Sequence, residues 1–449
     1  MTAHTLRHIP HIRRLPGLGH TLGFLRDPYD LHARSRAAHG PVYKLDLLGK
    51  WRVTLNGAAA VDHVLRDPER MFSSEQGNDV LHPIFTGGLA ARDFDDHRQH
   101  RRIMQTAFRH PAMLGYIASL VDQTEPMAER VPAGRPFPFG TWIKEELLQV
   151  GGRVLMGLEV DDAELSRLNA AFIEEVAGCV GIVRRPLPLT KMRRGLKAKA
   201  VFEARLRALI PERRHRGGDD FFSQMCRARD DGGAGWSEKE IFDHFNFLML
   251  AGHDTTASAL TTLVWGIAAG APDWQDRLRD EVDRTRPALM AAFAAGDAAG
   301  MHAALGEMRL TAQAFDEAMR YRPPVPFVSR RALRPFAWEG AEIPAGTFLS
   351  VPMAILMMEP AHFRAPERFD PGRFGPDRAE GRGAPSPFVG FGGGAHKCIG
   401  MHFAYHQVKI VVSALLSRYR IEALTPDPDW TLVPITRPRD GLPVVLHRR

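Results

Sequence analysis

The chain has 449 residues, of which 44% are hydrophobic, and this is enough to build a large packed core. Its formal charge of +7 is modest for this length, and no run of lysine and arginine resembles a nucleic-acid-binding arm. The three cysteines Cys179, Cys226 and Cys398 are too few for a disulfide framework and indicate a reducing cytoplasm. The N-terminus lacks the apolar region of a signal peptide, and no stretch approaches the roughly 18 consecutive apolar residues of a membrane span.

The first two thirds of the chain are predicted to be mainly helical. A start rich in Pro and Gly leads into a predicted β-hairpin over residues 42–57, and helical periodicity then dominates from about Asp93 to Arg322. Breaks in the periodicity fall at residues 186–192 and 229–236, where Pro and Gly accumulate. We therefore expect a series of packed helices after the hairpin.

The last third contains a second group of predicted strands and one more helix. Residues 327–355 alternate like strands and include turn signals, and a meander rich in Pro, Arg and Phe follows from Glu359 to Gly390. A helical pattern resumes after Cys398. The sequence thus predicts a mainly α fold with small β-sheets near both ends.

One predicted helix, which starts after residue 236, is apolar nearly all round and should be buried through the centre of the protein. Ser237 and Glu240 form the pattern of a capping box at its start. Its middle reads Ala-Gly-His-Asp-Thr-Thr over residues 251–256, and a glycine and an acid are both costly in a buried helix.

The small residues of this helix permit two interpretations. Leu248, Ala251 and Thr255 share one face by their spacing, so a flat ligand could approach the backbone there. The Thr255 hydroxyl could bond back to the helix and open a groove. The alternative is a close crossing with another helix, with the threonine bonded to its own backbone.

The stretch GFGGGAHKCIG, residues 390–400, also permits several interpretations. It fits the glycine pattern of a dinucleotide-binding loop, but Pro385 and Pro387 spoil the strand that must precede such a loop. A zinc site could use Cys398, His402 and His406, which fall on one helix face, but it would leave the glycines unexplained.

The third interpretation is a cysteine thiolate presented to a planar cofactor. The glycines would let the backbone pass close to such a ligand, and a position just before a helix favours an anion. Phe391 could shield the sulfur from water, and His396 could reach a cofactor carboxylate. This interpretation uses every residue of the stretch.

Residues 391–400 resemble the haem-ligand loop of the cytochrome P450 family, F-G-x-G-x-H-x-C-x-G. Three further motifs agree with this resemblance in the family's order. Residues 251–256 are similar to the oxygen-activation stretch of the family's central helix, and Glu317-Ala318-Met319-Arg320 is similar to its E-x-x-R motif. Residues 366–369, Pro-Glu-Arg-Phe, resemble the meander motif, which implies that Arg368 joins Glu317 and Arg320 in a structural ion-pair network.

The resemblance implies a fold and a set of site residues. The fold is a triangular helical prism, one domain over residues 1–449 without a fused reductase, with haem b between the central helix and the helix after the cysteine loop. Cys398 would ligate the iron, Asp254 and Thr255 would form the acid–alcohol pair for proton delivery, and Asp254 would face away from the oxygen groove. The other implied haem contacts are His97, Arg101, Ala251, Gly252, Arg330, Phe391, Gly392, His396, Ile399 and Gly400. His100 and Arg102 neighbour His97 and Arg101 and could replace them.

The resemblance also implies a monooxygenase that inserts one atom of O2 into a small lipophilic substrate by hydroxylation or epoxidation. Similarity to fatty-acid and sterol-type members favours a steroid, terpenoid or fatty acid. Electrons would come from NAD(P)H through a separate ferredoxin and reductase, and a basic surface that includes Lys397 would suit such an acidic partner. We expect a monomeric cytoplasmic enzyme with no nucleic-acid partner. A peroxide-driven peroxygenase and a non-enzymatic haem sensor are the alternatives.

Overall fold

Helices make up most of the protein in its computed structural model, which describes residues 6–47, 49–78, 81, 84–155, 157, 162–179, 183–218, 220–229 and 232–449. The α-helices are α1 (Thr21–Arg26), α2 (Pro28–His39), α3 (Ala58–Arg66), α4 (Phe94–Thr106), α5 (His110–Glu129), α6 (Phe139–Val154), α7 (Asp162–Cys179), α8 (Lys191–Arg216), α9 (Phe221–Arg227), α10 (Glu238–Trp265), α11 (Asp273–Ala294), α12 (Ala298–Gly306), α13 (Arg309–Tyr321), α14 (Met353–Leu356) and α15 (Met401–Leu416). The mainly α fold predicted from the sequence is confirmed.

The strands are short and lie near both ends of the chain, as predicted. They are β1 (Val42–Leu47), β2 (Lys50–Leu55), β3 (Phe72–Ser73), β4 (Phe137–Pro138), β5 (Val328–Ala332), β6 (Phe336–Trp338), β7 (Ala341–Ile343), β8 (Phe348–Val351), β9 (Tyr419–Ala423), β10 (Trp430–Thr431), β11 (Arg437–Pro438) and β12 (Pro443–Arg448). The predicted hairpin is the antiparallel pair β1–β2, in register from Val42 opposite Leu55 to Leu47 opposite Lys50.

The chain forms two compact units, each assembled from segments that are distant in sequence. The first unit comprises Met1–Asp79, Asp316–Cys398 and Asp427–Asp440, and the second comprises Val80–Phe315, Ile399–Pro426 and Gly441–Arg449.

A five-stranded sheet organises the first unit, with strand order β1-β2-β8-β5-β3. Strand β8 runs parallel to β2 and antiparallel to β5. Helix α3 places Val61, Val64 and Leu65 on one face by their 3- and 4-residue spacing, and this face belongs to the same apolar core as Val53 and Leu349 of the sheet. The sheet therefore fixes the end of α3, which borders the cysteine loop.

Helix α10 is the long central helix predicted from the sequence, and it belongs to the second unit. Its capping box is present, because the Ser237 hydroxyl accepts from the Glu240 amide at 3.2 Å and the Glu240 carboxylate accepts from the Ser237 amide at 2.8 Å. Most of its residues are buried. In the described portion of the chain, no helix combines the length and apolar character that crossing a bilayer requires.

A buried carboxyl joins α7 to α10. Glu175 Oε1 accepts a hydrogen bond from Asn246 Nδ2 at 2.6 Å, and both side chains are buried. Burial raises the pKa of Glu175 from its ordinary value of 4.5 to about 7. Two charged residues of α8 also act on this pKa: Lys199 lowers it and Glu203 raises it. Nothing in the sequence predicted this contact, because its two residues are 71 positions apart.

A buried ion-pair network in the first unit ties α13 to the meander. Arg320 donates from Nε and Nη2 to the Glu317 carboxylate at 2.7 and 2.8 Å, and Arg373 Nε lies 3.0 Å from Glu317 Oε2. All three side chains are fully buried. The prediction of a structural role for Glu317 and Arg320 is confirmed.

The prediction for Arg368 is wrong, since Arg373 is the second guanidinium of the network. Arg368 is exposed and contributes its backbone carbonyl, which accepts from Arg320 Nη2 at 3.2 Å and from Arg373 Nη2 at 3.1 Å. Residues 371–374, Pro-Gly-Arg-Phe, repeat the spacing of residues 366–369, and the turn at Pro371–Phe374 places the second arginine inside.

Replacing Arg373 should therefore cost much more stability than replacing Arg368. Arg373→Ala leaves the buried Glu317 carboxylate short of one partner, which costs about 3–5 kcal/mol of unfolding free energy. Arg368→Ala removes an exposed side chain, and the change should stay within about 0.5 kcal/mol. Urea unfolding of both variants checks this prediction. Equal losses of unfolding free energy would show that the ion pair between Arg373 and Glu317 does not stabilise the protein.

Ionisation of Glu175 should make the protein less stable as the pH rises. The folded state keeps this proton between pH 4.5 and about 7, where the unfolded chain has lost it, so the stabilisation is complete below 4.5 and is lost as the pH rises through about 7. Glu175→Gln keeps the acceptor oxygen for Asn246 and cannot ionise. Urea unfolding at about pH 8 should show the variant up to about 3 kcal/mol more stable than the wild type, with little difference near pH 4.5.

The control is Glu145→Gln, because Glu145 is exposed on α6. Its stability should follow the wild type at every pH. If Glu175→Gln also followed the wild type between pH 4.5 and 8, Glu175 would not carry a raised pKa.

Candidate functional site

The cysteine loop is held by backbone hydrogen bonds within the first unit. The amide of Gly392 donates to Val389 O at 2.8 Å, and the amide of Cys398 donates to Phe391 O at 2.9 Å. Gly394 has φ of +60°, and a β-carbon there would lie 1.9 Å from the carbonyl oxygen of Leu65 at the end of α3. Only glycine fits this position, so the loop packs directly against the end of α3, and it presents one side chain at its own end.

That side chain is the thiol of Cys398, which is exposed, whereas Cys179 and Cys226 are buried. Burial raises the pKa of each buried thiol to about 12, so neither is available as a thiolate ligand near neutral pH. An accessible sulfur at the end of a rigid loop fits the role of a single protein ligand to haem iron.

The zinc alternative finds no support. Among the described residues, His, Cys, Asp and Glu side chains do not gather in any group of three or more that could hold a metal ion. His406 is buried and His402 is exposed on α15.

Two predicted partners of the haem carboxylates, Arg330 and His396, lie in the first unit with Cys398. Arg330 is buried on β5 opposite Leu349, and its Nη1 donates to Ser329 O at 2.9 Å. A β-carbon at Gly77 would lie 2.6 Å from Arg330 Cα, so the loop after β3 passes directly against this residue. His396 ends the short turn Gly394–His396 and is half-buried, and Lys397 beside it is exposed, as predicted.

The other two predicted partners, His97 and Arg101, lie one turn apart on α4 in the second unit. His97 is buried and Arg101 is half-buried. The neighbouring His100 is engaged elsewhere, since its Nδ1 lies 2.8 Å from His244 Nε2 and its Nε2 lies 2.9 Å from Arg92 Nη1. Arg102 is exposed. His100 thus has other side-chain partners, and the assignment of His97 and Arg101 to the haem carboxylates stays a prediction.

The small residues in the middle of α10 remain helical, and two threonine hydroxyls there bond to the helix backbone. The Thr255 hydroxyl donates to Ala251 O, and the Thr256 hydroxyl donates to Gly252 O at 2.7 Å. Ala251, Gly252 and Thr255 are half-buried, whereas Thr256 is buried. A threonine bonded to the carbonyl four residues earlier is consistent with both interpretations of this face.

Asp254 lies on another face of α10, and its partner is Lys144 of α6. Lys144 Nζ is 2.6 Å from Asp254 Oδ1, and the lysine is partly exposed while the aspartate is buried. His253 Nε2 lies 3.2 Å from the same oxygen, and burial lowers the pKa of His253 to about 4. Asp254 therefore lies off the Thr255 face, as expected, and it contacts a cation there. Sequence reasoning missed this cation, because Lys144 is 110 positions away and no motif contains it.

The remaining predicted residues lie within the cysteine loop or directly after it. Phe391, Gly392 and Ile399 are half-buried, and Gly400 immediately precedes α15. Cys398 is the last residue of its segment in the first unit, and Ile399 is the first residue of the following segment in the second unit.

Comparison with known proteins agrees with these features over almost the whole chain. The family model described as cytochrome P450 matches residues 9–437. Cytochrome P450 136 of Mycobacterium tuberculosis is 32% identical over 445 residues, which cover 97% of this chain and 87% of that protein. Cyclooctat-9-en-7-ol 5-monooxygenase of Streptomyces melanosporofaciens is 29% identical over 430 residues, which cover 93% of this chain and 90% of that protein.

A solved structure extends the agreement from sequence to fold. Retinoic-acid-bound cyanobacterial CYP120A1 superimposes with a TM-score of 0.84 at 25% identity and covers 98% of this chain and 99% of its own. The P450 fold predicted from the motifs is confirmed. Since the family model spans both units and relatives match nearly end to end, the chain belongs to the cytochrome P450 family of haem-thiolate monooxygenases.

Proposed function

We propose that this monooxygenase inserts one oxygen atom of O2 into a mainly hydrocarbon substrate with electrons from a separate ferredoxin and reductase. The observation that carries the proposal is the exposed Cys398 thiol on a loop that requires glycine at position 394, in a chain whose other two thiols are buried. When bound there, a thiolate-ligated haem b supplies the oxygen-activating chemistry.

We assign the protein's own residues the following roles toward that group. Cys398 supplies the ligand sulfur, and the small residues of α10 permit close approach to its backbone. Arginine and histidine side chains offer charge-assisted hydrogen bonds to the two haem carboxylates. The proposed contacts are His97, Arg101, Ala251, Gly252, Arg330, Phe391, Gly392, His396, Ile399 and Gly400.

Asp254 and Thr255 are the proposed catalytic pair for proton delivery. The Thr255 hydroxyl can donate and accept a hydrogen bond, and its bond to Ala251 O fixes its orientation. Asp254 is buried, yet it contacts the partly exposed Lys144, so this ion pair links the buried carboxylate to the protein surface. This arrangement suits a carboxylate that receives protons from outside while the threonine positions them.

The substrate class follows from the names of similar proteins. One relative is named for action on cyclooctat-9-en-7-ol, a carbocyclic alkenol, and the similar solved structure holds retinoic acid, a polyene carboxylic acid. Both molecules are mostly hydrocarbon with one polar group. Among the predicted steroids, terpenoids and fatty acids, we therefore favour terpenoids and retinoid-like isoprenoids.

Binding of such a substrate should shift the spin state of haem held by Cys398. Titration of the purified holoprotein with diterpenoid alcohols and retinoic acid should give a saturable change in the absorption spectrum, and long-chain fatty acids should bind more weakly. A response to fatty acids or steroids alone would contradict the isoprenoid assignment while leaving the monooxygenase assignment intact.

We assign the electron supply to NAD(P)H through a small acidic carrier. The positive net charge and the exposed Lys397 beside the cysteine loop favour an acidic partner. We further propose that the chain acts as a monomeric cytoplasmic P450 domain.

A proton-delivering pair is required when O2 is the oxidant, whereas peroxide supplies both oxygen and electrons, so the Asp254–Thr255 pair argues against a peroxide-driven enzyme and against a sensor.

Removing the Thr255 hydroxyl should separate electron consumption from product formation. With ferredoxin, reductase, NADH and a bound substrate, Thr255→Ala should keep the haem content, consume NADH and release hydrogen peroxide in place of product. Asp254→Asn should slow turnover with less peroxide, because the supply of protons fails rather than their positioning. The measurement is product formed per NADH consumed, with peroxide counted alongside.

Thr256→Ala is the matched control, since Thr256 makes the same type of backbone bond from a buried position. It should remain coupled. If Thr255→Ala stays fully coupled, the role assigned to the pair is wrong, and turnover of the wild type with peroxide alone but not with ferredoxin would favour the peroxygenase.

A further inference from the structure

A pair of buried histidines joins α4 to α10, and the proposed oxygenation chemistry uses neither of them. His100 Nδ1 lies 2.8 Å from His244 Nε2, and the two residues are 6% and 0% exposed. On the other side of its ring, His100 Nε2 lies 2.9 Å from Nη1 of Arg92. Both imidazole rings stack on the indole of Trp236, at centroid distances of 5.6 and 4.5 Å, and this stacking fixes the plane of each ring.

Arg92 fixes the order of donors and acceptors in this chain of side chains. A guanidinium can only donate, so His100 Nε2 must accept from Arg92 and the single proton of the neutral ring lies on Nδ1. That proton is donated to His244 Nε2, and the proton of His244 itself then lies on its Nδ1. A further proton on either ring would set two donors against each other. The chain from Arg92 through His100 to His244 therefore requires both histidines to be neutral.

Two carboxylates beside His100 can accept from its protonated form. Oδ1 of Asp96 and Oε1 of Glu240 lie 3.4 and 3.8 Å from His100 Nε2. Burial lowers the pKa of His100 below its ordinary value of 6.5 and Arg92 lowers it further, while the two carboxylates raise it. Protonated His100 would therefore turn from the arginine towards a carboxylate.

His244 is harder to protonate than His100. Burial lowers the pKa of His244 well below 6.5, and His100 and Arg92 lower it further. His100 therefore takes up a proton first as the pH falls. The other charged or titratable groups around the pair are His97 on α4, Arg214 on α8, which donates to the Trp236 carbonyl, and the ion pair of Lys239 and Asp243 on α10.

Arg92 also holds the glycine segment, residues 87–92, which precedes α4. Its Nε donates to the carbonyl oxygen of Gly87 at 2.9 Å. The glycine segment packs directly on α10, because a β-carbon at Gly88 would lie 2.4 Å from Cβ of Phe247. Phe247 lies one turn before the small residues in the middle of α10, so the glycine segment borders the face that those residues form.

We propose that His100 is a proton-sensitive positioning residue, which holds the glycine segment against α10 while it is neutral and releases the segment when it takes up a proton. Neutral His100 gives Arg92 a buried acceptor, and Arg92 then holds the segment through the Gly87 carbonyl. Packing alone does not require two imidazoles and a guanidinium here, because apolar side chains of similar volume would avoid the cost of burying them. The consequence for substrate binding rests on the proposed function, since the released segment no longer borders the small residues of α10.

Hydrogen exchange of the holoprotein tests the release without substrate or electron donor, so its outcome does not depend on the proposed function. Release is linked to one proton, and rates are corrected for the intrinsic pH dependence of exchange. The amides of the glycine segment should then lose protection by up to about tenfold for each pH unit below 6.5. Their protection should be constant between about pH 8 and 7, because His100 is neutral throughout that range.

Two variants should remove this pH dependence. His100→Gln cannot ionise, and its amide can still accept from Arg92 and donate to His244. Arg92→Gln removes the cation, and an amide accepts from protonated His100 as readily as it donates to the neutral ring. In both variants, protection of the glycine segment should stay level from about pH 7 to 5.5, whatever its value at neutral pH. His215→Gln is the control, because His215 is an exposed histidine of α8, and it should follow the wild type.

Substrate affinity provides a second readout of the same proton. The spin-state titration with a diterpenoid alcohol, which does not ionise, should give an affinity that falls about tenfold between about pH 7 and 5.5 in the wild type and stays level in His100→Gln. Unchanged protection of the glycine segment down to about pH 5.5 would overturn the proposal. An equal loss of protection in the wild type and in both variants would also overturn it, because the proton would then act on a group other than His100.

Discussion

The first unit depends on the buried carboxylate of Glu317, which joins α13 to the meander. Glu317 accepts from Arg320 of α13, contacts Arg373 of the meander and accepts from the amide of Asp370 at 2.8 Å. Arg320 in turn donates to the carbonyls of Met357 and Pro366. Replacing any one of the three charged side chains leaves an uncompensated charge in the interior, so the ion pairs of this network depend on one another. The meander that it fixes leads directly into the cysteine loop.

The cysteine loop that follows the meander exposes one sulfur, that of Cys398. Its two internal backbone hydrogen bonds and the contact of Gly394 with Leu65 give the backbone little freedom, and Cys398 lies at the end of the loop. Cys179 and Cys226 share the same side-chain chemistry but have raised pKa values because they are buried. In the second unit, Asp254 is likewise buried but contacts the partly exposed Lys144. The roles proposed for Cys398 and Asp254 therefore rest on the surroundings of each side chain rather than on its residue type alone.

Sequence reasoning succeeded where the determining contacts are local. The hairpin β1–β2, the capping box of Ser237 and the cysteine loop are each specified within about a dozen neighbouring residues, and each was predicted. The family resemblance pointed to Arg368 alone. A second Pro-x-Arg-Phe run five residues later contains Arg373, and only the fold of the meander decides which arginine turns inward. Lys144 and the Glu175–Asn246 pair were missed, since helix packing brings them together across long stretches of chain. The role of each residue toward haem stays a prediction from the family resemblance.

The absorption spectrum of the reduced protein with carbon monoxide tests the central claim most directly, since the Soret band would report which protein atom ligates the iron. We expect the strongly red-shifted band of a thiolate complex in the intact protein and its loss in Cys398→Ser, with Cys226→Ser unchanged. A band at the position typical of imidazole-ligated haem, or a red-shifted band that persists in Cys398→Ser, would contradict the assignment of Cys398.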